Sequence, residues 1–90
     1  MTYRVAFKKS ALKYLENLDP HTSERIMSWI KENLAGCEDP RRIGKSLSGR
    51  HAGKWRYRVG EYRIIAEIRD KELIIAVVDV GPRKNVYTRV

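Results

Sequence analysis

Cysteine, histidine and long apolar runs are scarce in this sequence of 90 residues. The single cysteine, Cys37, excludes an intramolecular disulfide framework. Together with His21 and His51 it supplies too few ligands for a conventional structural zinc site. No metal and no cofactor are therefore expected. No stretch approaches the roughly 18 consecutive apolar residues that would span a bilayer. The opening Met1-Thr2-Tyr3-Arg4-Val5 lacks the apolar segment of a secretory signal, so a cleaved leader is not expected. Phosphate-binding P-loops and nucleophile elbows are also missing, as are internal repeats, linkers and low-complexity tracts. Hydrophobic residues make up 42% and charged residues 33%, a balance that suits neither a disordered chain nor a membrane protein. One soluble cytoplasmic domain over residues 1–90 is expected, because a second core would leave each half too small to bury enough surface.

What the sequence has in excess is positive charge. Nineteen Lys and Arg stand against eleven Asp and Glu, a net of +8. Residues 1–40 are balanced. Residues 41–63 carry Arg41, Arg42, Lys45, Arg50, Lys54, Arg56, Arg58 and Arg63 with only Glu61 in opposition, a net of +7. Excess charge concentrated in one segment points to a polyanionic partner, nucleic acid above all.

Periodicity then places this segment. Residues 2–8 alternate, with Tyr3, Val5 and Phe7 on one side, which predicts a half-buried strand. Ser10 is the expected N-cap of a helix whose apolar positions are Ala11, Leu12, Leu15 and Leu18. Asp19-Pro20 breaks that helix and starts a second, carrying Ile26, Trp29, Ile30 and Leu34 and ending near Gly36. The short connection makes the two helices an antiparallel pair. Residues 37–53, punctuated by Pro40, Gly44, Gly49 and Gly53, read as an irregular basic loop. The period then becomes two. A strand over 54–59 turns at Gly60-Glu61 into a strand over 62–69, and a turn at 70–72 leads to the apolar strand Leu73–Val80, ended by Gly81-Pro82. The expected fold class is α+β, in the order β-α-α-β-β-β. Two helices pack on one face of a mainly antiparallel sheet, with a fifth short strand provided for at Val86–Val90.

A two-residue hairpin loop at Gly60-Glu61 would pair Val59 with Tyr62, Arg58 with Arg63, Tyr57 with Ile64 and Arg56 with Ile65. One face then holds Trp55, Tyr57, Val59, Tyr62, Ile64 and Ala66 as core, and the other holds Lys54, Arg56, Arg58 and Arg63. Like charges directly opposite are unfavourable, so the Arg58–Arg63 pair calls for a bound anion or for a carboxylate such as Asp79 beside Arg63. Arginine at most of these places favours forked contacts to phosphate. Trp29, Trp55, Tyr57 and Tyr62 fall on core faces. Tyr87 follows the turn 81–85 and either stacks on a base or covers the sheet edge. His21 and His51 read as ordinary surface residues, and Cys37 as a small buried apolar one.

Three segments resemble the toxins of the RelE/ParE superfamily, and its RelE branch in particular. They are the helix 11–18, the stretch from Leu47-Ser48-Gly49 through Trp55-Arg56-Tyr57-Arg58-Val59-Gly60-Glu61-Tyr62-Arg63, and the ending Val80-Gly81-Pro82-Arg83-Lys84-Asn85-Val86-Tyr87. The resemblance implies the toxin of a type II toxin–antitoxin system: a metal-independent endoribonuclease that cuts messenger RNA in the ribosomal A site and so inhibits translation. In such a reaction the 2′-hydroxyl attacks its own phosphate, and the protein positions the strand and stabilises charge. By motif position Arg56 and Arg58 stand where prototypical members have two lysines. Arg63 matches the arginine bracing the scissile phosphate, Arg83 the one assisting the leaving oxygen, and Tyr87 the tyrosine stacking on the base. Lys45, Arg50 and Lys54 are the expected further RNA contacts. The implied partners are a RelB-like antitoxin bound in a hetero-oligomer, the ribosome and its mRNA, with no membrane.

Two departures from the family pattern matter. Arginine keeps its proton far above neutral pH and makes a poor general base. The proton acceptor at positions 56 and 58 is therefore lacking, replaced by Lys54, or supplied by the ribosome. Three residues follow Tyr87, so the terminal helix of prototypical members is not expected. Two other functions fit the same segments: a ParE-like inhibitor of DNA gyrase that is no nuclease, and a domain that binds RNA without cutting it.

Overall fold

The computed structural model describes residues 1–83. Its strands are β1 (Arg4–Phe7), β2 (Lys45–Ser46), β3 (Trp55–Val59), β4 (Tyr62–Arg69) and β5 (Ile74–Pro82), and its helices are α1 (Lys9–Asn17) and α2 (Pro20–Asn33). The sheet order is β1-β5-β4-β3-β2, with β1 parallel to β5 and the other neighbours antiparallel. The α+β reading with two helices on a mainly antiparallel sheet is thus the observed architecture. No helix among the described residues is long and apolar enough to cross a membrane.

Helix α1 begins earlier than its sequence suggests. Ser10 lies inside the helix, and Lys8 holds the cap position without a side-chain bond. The reason is the preceding strand: the Lys8 amide still donates to Val77 O at 2.8 Å, so the last rung of the β1–β5 ladder fixes where the helix starts. Ala11 and Leu15 are buried while Leu12 is exposed, correcting its placement on the apolar face. Helix α2 starts where expected. Asp19 accepts a hydrogen bond from the Thr22 amide at 3.0 Å, and Pro20 fills the first helical position, where its missing N–H costs nothing. At the far end Gly36 takes φ +80°, and its amide donates to Tyr3 O while the Tyr3 amide donates to Cys37 O, both at 2.9 Å. The end of α2 is thereby tied to the start of β1.

The core lies between the helices and one sheet face: Ala11, Leu15, Ile26, Ile30 and Leu34 meet Tyr57, Val59, Ile64, Ala66, Ile75, Val77 and Val80. Tyr57 is buried, stacks at a tilt on Trp29 with ring centroids 5.8 Å apart, and donates its hydroxyl to Pro40 O at 2.5 Å. Burial pushes its phenol far above the ordinary tyrosine value. Trp29, Trp55, Tyr62 and Cys37 are half-buried against this core. Burial likewise raises the Cys37 thiol.

Three details differ from the sequence reading. The fifth strand is β2, inside the segment expected to be irregular; Val86–Val90 lie outside the described residues. Leu73 belongs to the turn, at φ +56°, and β5 continues through Gly81 and Pro82 instead of ending before them. The β5 run is also not covered equally on both faces. A β-bulge sits where β4 passes from Ile65 to Ala66: Ile65 pairs with Asp79 and Ala66 with Val77, leaving Val78 as the extra residue. Val77 and Val80, three apart, therefore both enter the core, and Asp79 turns to the other face.

One surface network joins the loop after α2 to the β4–β5 turn. Arg41 donates to both oxygens of Asp70 at 3.0 and 3.1 Å, and Tyr3 donates to Oδ1 at 2.7 Å. The Arg41 hydrogen bond, then that of Tyr3, holds the Asp70 carboxyl below its ordinary value of 3.8. A carboxyl depressed in the folded state stabilises at neutral pH, and that contribution disappears as the pH falls through its folded pKa. Asp70→Asn is therefore expected to lower the thermal midpoint at pH 7, with the gap to wild type narrowing as the pH falls below the ordinary carboxylate value. A gap that persists unchanged in acid would count against the network.

Candidate RNA-binding face

The hairpin register is the one read from the sequence: Val59 opposite Tyr62, Arg58 opposite Arg63, Tyr57 opposite Ile64, Arg56 opposite Ile65. Alternation along β3 and β4 then sends Tyr57, Val59 and Ile64 into the core and Arg56, Arg58 and Arg63 to the sheet face away from the helices. Lys54 continues the row at the start of β3. Ile65 is 3% exposed yet stands apart from the helix-side core. It lies on the arginine face, opposite Arg56 and two residues from Arg63. Arginine stems readily cover apolar surface in this way while their charged ends stay at its margin.

The arginines differ in their surroundings. Arg58 is exposed. Arg56 is half-buried, and its Nε is sealed from solvent with no partner among the described residues. The Arg63 side chain is only 14% exposed, and its Nε is likewise sealed and unpartnered. Its Nη1 lies 3.2 Å from Asp79 Oδ2. This ion pair resolves the Arg58–Arg63 like-charge pairing inside the protein, so the fold itself needs no bound anion between them. Gly81 lies opposite Arg63 on β5, and the guanidinium passes over it, with Nη2 3.7 Å from where a Cβ would stand.

The remaining expected residues are placed as follows. Lys45 is exposed on β2 opposite Arg56, and Arg50 is exposed in the short 3₁₀ turn Gly49–His51. Lys54 Nζ lies 4.0 Å from Glu67 Oε2, and Glu67 also takes Arg69 Nη2 at 3.1 Å. Arg83 is exposed in the turn after β5, and its amide donates to Glu61 O at 2.9 Å, which holds the turn against the β3–β4 loop. Tyr87 lies outside the described residues. The face therefore unites Lys54, Arg56, Arg58 and Arg63, with Lys45 on the neighbouring strand. Arg83 joins through its backbone, at the end of the sheet where β3 turns into β4. Two features go almost unmarked in the sequence pattern: β2, and the burial of Ile65 on the arginine face. The glycine at position 44 and the apolar residue opposite Arg56 were their only signals.

A row of cations on one face of a mainly antiparallel sheet, with the helix-side core on the other, defines a small basic protein with an exposed cationic surface. Residues 5–87 match the family model described as ParE toxin of type II toxin–antitoxin system, parDE. Toxin RelG of Mycobacterium tuberculosis is 29% identical over 89 residues, spanning 99% of this chain and 100% of that one. A putative RelE-like toxin protein of Escherichia coli is 32% identical over 86 residues, or 94% of this chain and 87% of the relative. Among solved structures, the toxin–antitoxin complex RelBE2 from Mycobacterium tuberculosis superposes with a TM-score of 0.81 at 28% identity, covering 92% of this chain and 93% of that one. The chain belongs to the RelE/ParE superfamily of type II toxins, as a RelE-like toxin.

Proposed function

We propose that this toxin is a ribosome-dependent endoribonuclease that cuts messenger RNA in the A site and thereby stops translation. The observation that carries the reading is the arginine face: Arg56, Arg58 and Arg63 converge on one open surface, with Arg83 at its end. The arginine guanidinium is a planar fork of five N–H donors with no acceptor. An RNA phosphate laid among them meets forked donors, and the added negative charge of the pentavalent phosphorane strengthens every contact. In-line attack by the neighbouring 2′-hydroxyl then needs the strand held in the reactive geometry rather than a protein nucleophile. Lys45, Arg50 and Lys54 extend the cationic surface for flanking phosphates, and Tyr87 is assigned the stacking role on the displaced base. Arg56 and Arg63 are half-buried, which restricts these guanidinium groups before RNA arrives and lowers the entropy lost on binding.

The partner in this reading is a cognate antitoxin, as in the RelBE2 complex, and a net charge of +8 favours an acidic segment of it over this face. Action on ribosomes places the toxin in the cytoplasm. The match to a ParE model keeps one other reading in view, an inhibitor that acts on gyrase by protein contact.

Cleavage mapping on a defined mRNA, free and threaded through a ribosome with an empty A site, tests the proposal. Cuts confined to the A-site codon are expected. Cutting of free RNA would remove the ribosome from the mechanism. A toxic chain that cuts neither would favour the protein target.

A further inference from the structure

The arginines proposed to hold the phosphate, Arg56, Arg58, Arg63 and Arg83, are donors only and cannot accept the 2′-hydroxyl proton. From the geometry we infer that Asp79 accepts the 2′-hydroxyl proton during RNA cleavage. The inference rests on the ribonuclease reading above and adds to it a general base.

The β-bulge is what makes Asp79 available. Along a regular β5, Asp79 would follow Ile75 and Val77 into the core, where an isolated carboxylate is costly. With Val78 as the extra residue, Asp79 is opposite Ile65, on the face of Arg56, Arg58 and Arg63. Bulges next to active sites commonly re-aim a side chain in this manner. Its side chain is 46% exposed, and Arg63 Nη1 holds Oδ2 at 3.2 Å, so the carboxylate is both reachable and oriented. Arg63 on β4 is its hydrogen-bonded neighbour, and Tyr14 on α1 lies near enough to feel its charge. The Tyr14 phenol is raised first by burial and then by the nearby Tyr62 and Asp79, so it keeps its proton at neutral pH and does not compete as a base.

Other candidates on this face are less suited. Glu67 is held between Lys54 and Arg69, and it pairs with Ala76 further along β4, away from Arg63. Lys54 is engaged with that carboxylate, its Nζ 4.0 Å from Glu67 Oε2. Among the described residues Asp79 alone combines a carboxylate with direct contact to an arginine of the phosphate-binding set.

The step balances without any redox partner. The O2′–P bond forms as the P–O5′ bond breaks, the 2′ proton passes to the Asp79 carboxylate, and O5′ takes a proton from water. The products are a 2′,3′-cyclic phosphate and a 5′-hydroxyl, and Asp79 returns its proton to solvent.

Single-turnover cleavage of A-site mRNA on ribosomes across a range of pH, with wild type, Asp79→Asn and Asp79→Glu, tests the assignment. Asparagine keeps an acceptor oxygen for Arg63 but cannot take a proton. Asp79→Asn is expected to cut about 10²-fold more slowly or worse, to lose the acid-side fall-off of the rate, and to sediment with ribosomes as wild type does. Asp79→Glu is expected to keep that fall-off with a smaller loss. An Asp79→Asn rate within about threefold of wild type would overturn the inference, being far short of a general-base contribution. So would a slowed variant with an unchanged pH profile, which would leave Asp79 as a brace for Arg63 only. Should Asp79→Asn not fold, Asp79→Ser decides by the same criterion, because serine keeps an acceptor oxygen for Arg63 but takes no proton at these pH values. A wild-type toxin that cuts nothing fails the ribonuclease reading itself, an outcome distinct from a wild type that cuts and an asparagine variant that matches it.

Discussion

Arg83→Ala is expected to slow A-site cleavage by about 10²–10³-fold, the usual loss on removing one preorganised donor to a developing oxyanion, with no change in thermal midpoint. The fold tolerates the change because the Arg83 side chain is exposed in the turn after β5. What anchors that turn is the backbone amide, 2.9 Å from Glu61 O, and alanine retains it. The guanidinium has no partner among the described residues, and its loss removes a charge that matters most as the leaving oxygen becomes anionic. Rapid-quench cleavage on programmed ribosomes gives the rate, and circular dichroism gives the fold. Unfolding of Arg83→Ala would make the residue structural and sink the assignment, as would full activity.

Gly44→Ala is expected to destabilise the protein by about 2–4 kcal/mol, from a left-handed backbone imposed on alanine together with a steric clash. Gly44 has φ +86°, and a Cβ there would run into the carbonyl oxygen of Arg56 and lie 2.7 Å from Trp55 Nε1. The indole cannot simply move away, because Nε1 donates to Ile43 O at 2.7 Å. Relief requires β2 to lift from β3, which would displace Lys45 from its place opposite Arg56. Loss of stability in urea unfolding is thus expected together with weakened RNA binding. Unchanged stability would show that the loop repacks without cost.

These predictions draw on features of different legibility. The hairpin register followed from the two-residue loop at Gly60-Glu61 and from alternation, since a slip by one residue would have put Tyr57 in solvent and Arg56 and Arg58 in the core. The start of α2 was equally legible, because Asp19 and Pro20 act within one turn of the helix they begin. Ser10 misled for the opposite reason. Its capping chemistry is local, whereas the true start of α1 is set by a hydrogen bond to Val77, far away in the chain. The two-residue β2 has too few positions to display a period, and it exists only because β3 offers a partner.

The charge cluster over residues 41–63, the two helices, the β3–β4 pairing and the arginine row are properties of the sequence by itself, because each rests on composition or on a period of two or 3.6 residues. The sheet order, with β1 joined in parallel to β5, and the burial of Ile65 on the arginine face were decided by tertiary structure alone. So was the face on which Asp79 stands. Simple alternation from Val77 would direct its carboxylate into the core, and only the pairing of β5 with β4 inserts the extra residue that turns it toward the arginines. A side chain's type is written in its codon, but its direction here depends on a bulge, which is a property of two strands and not of one.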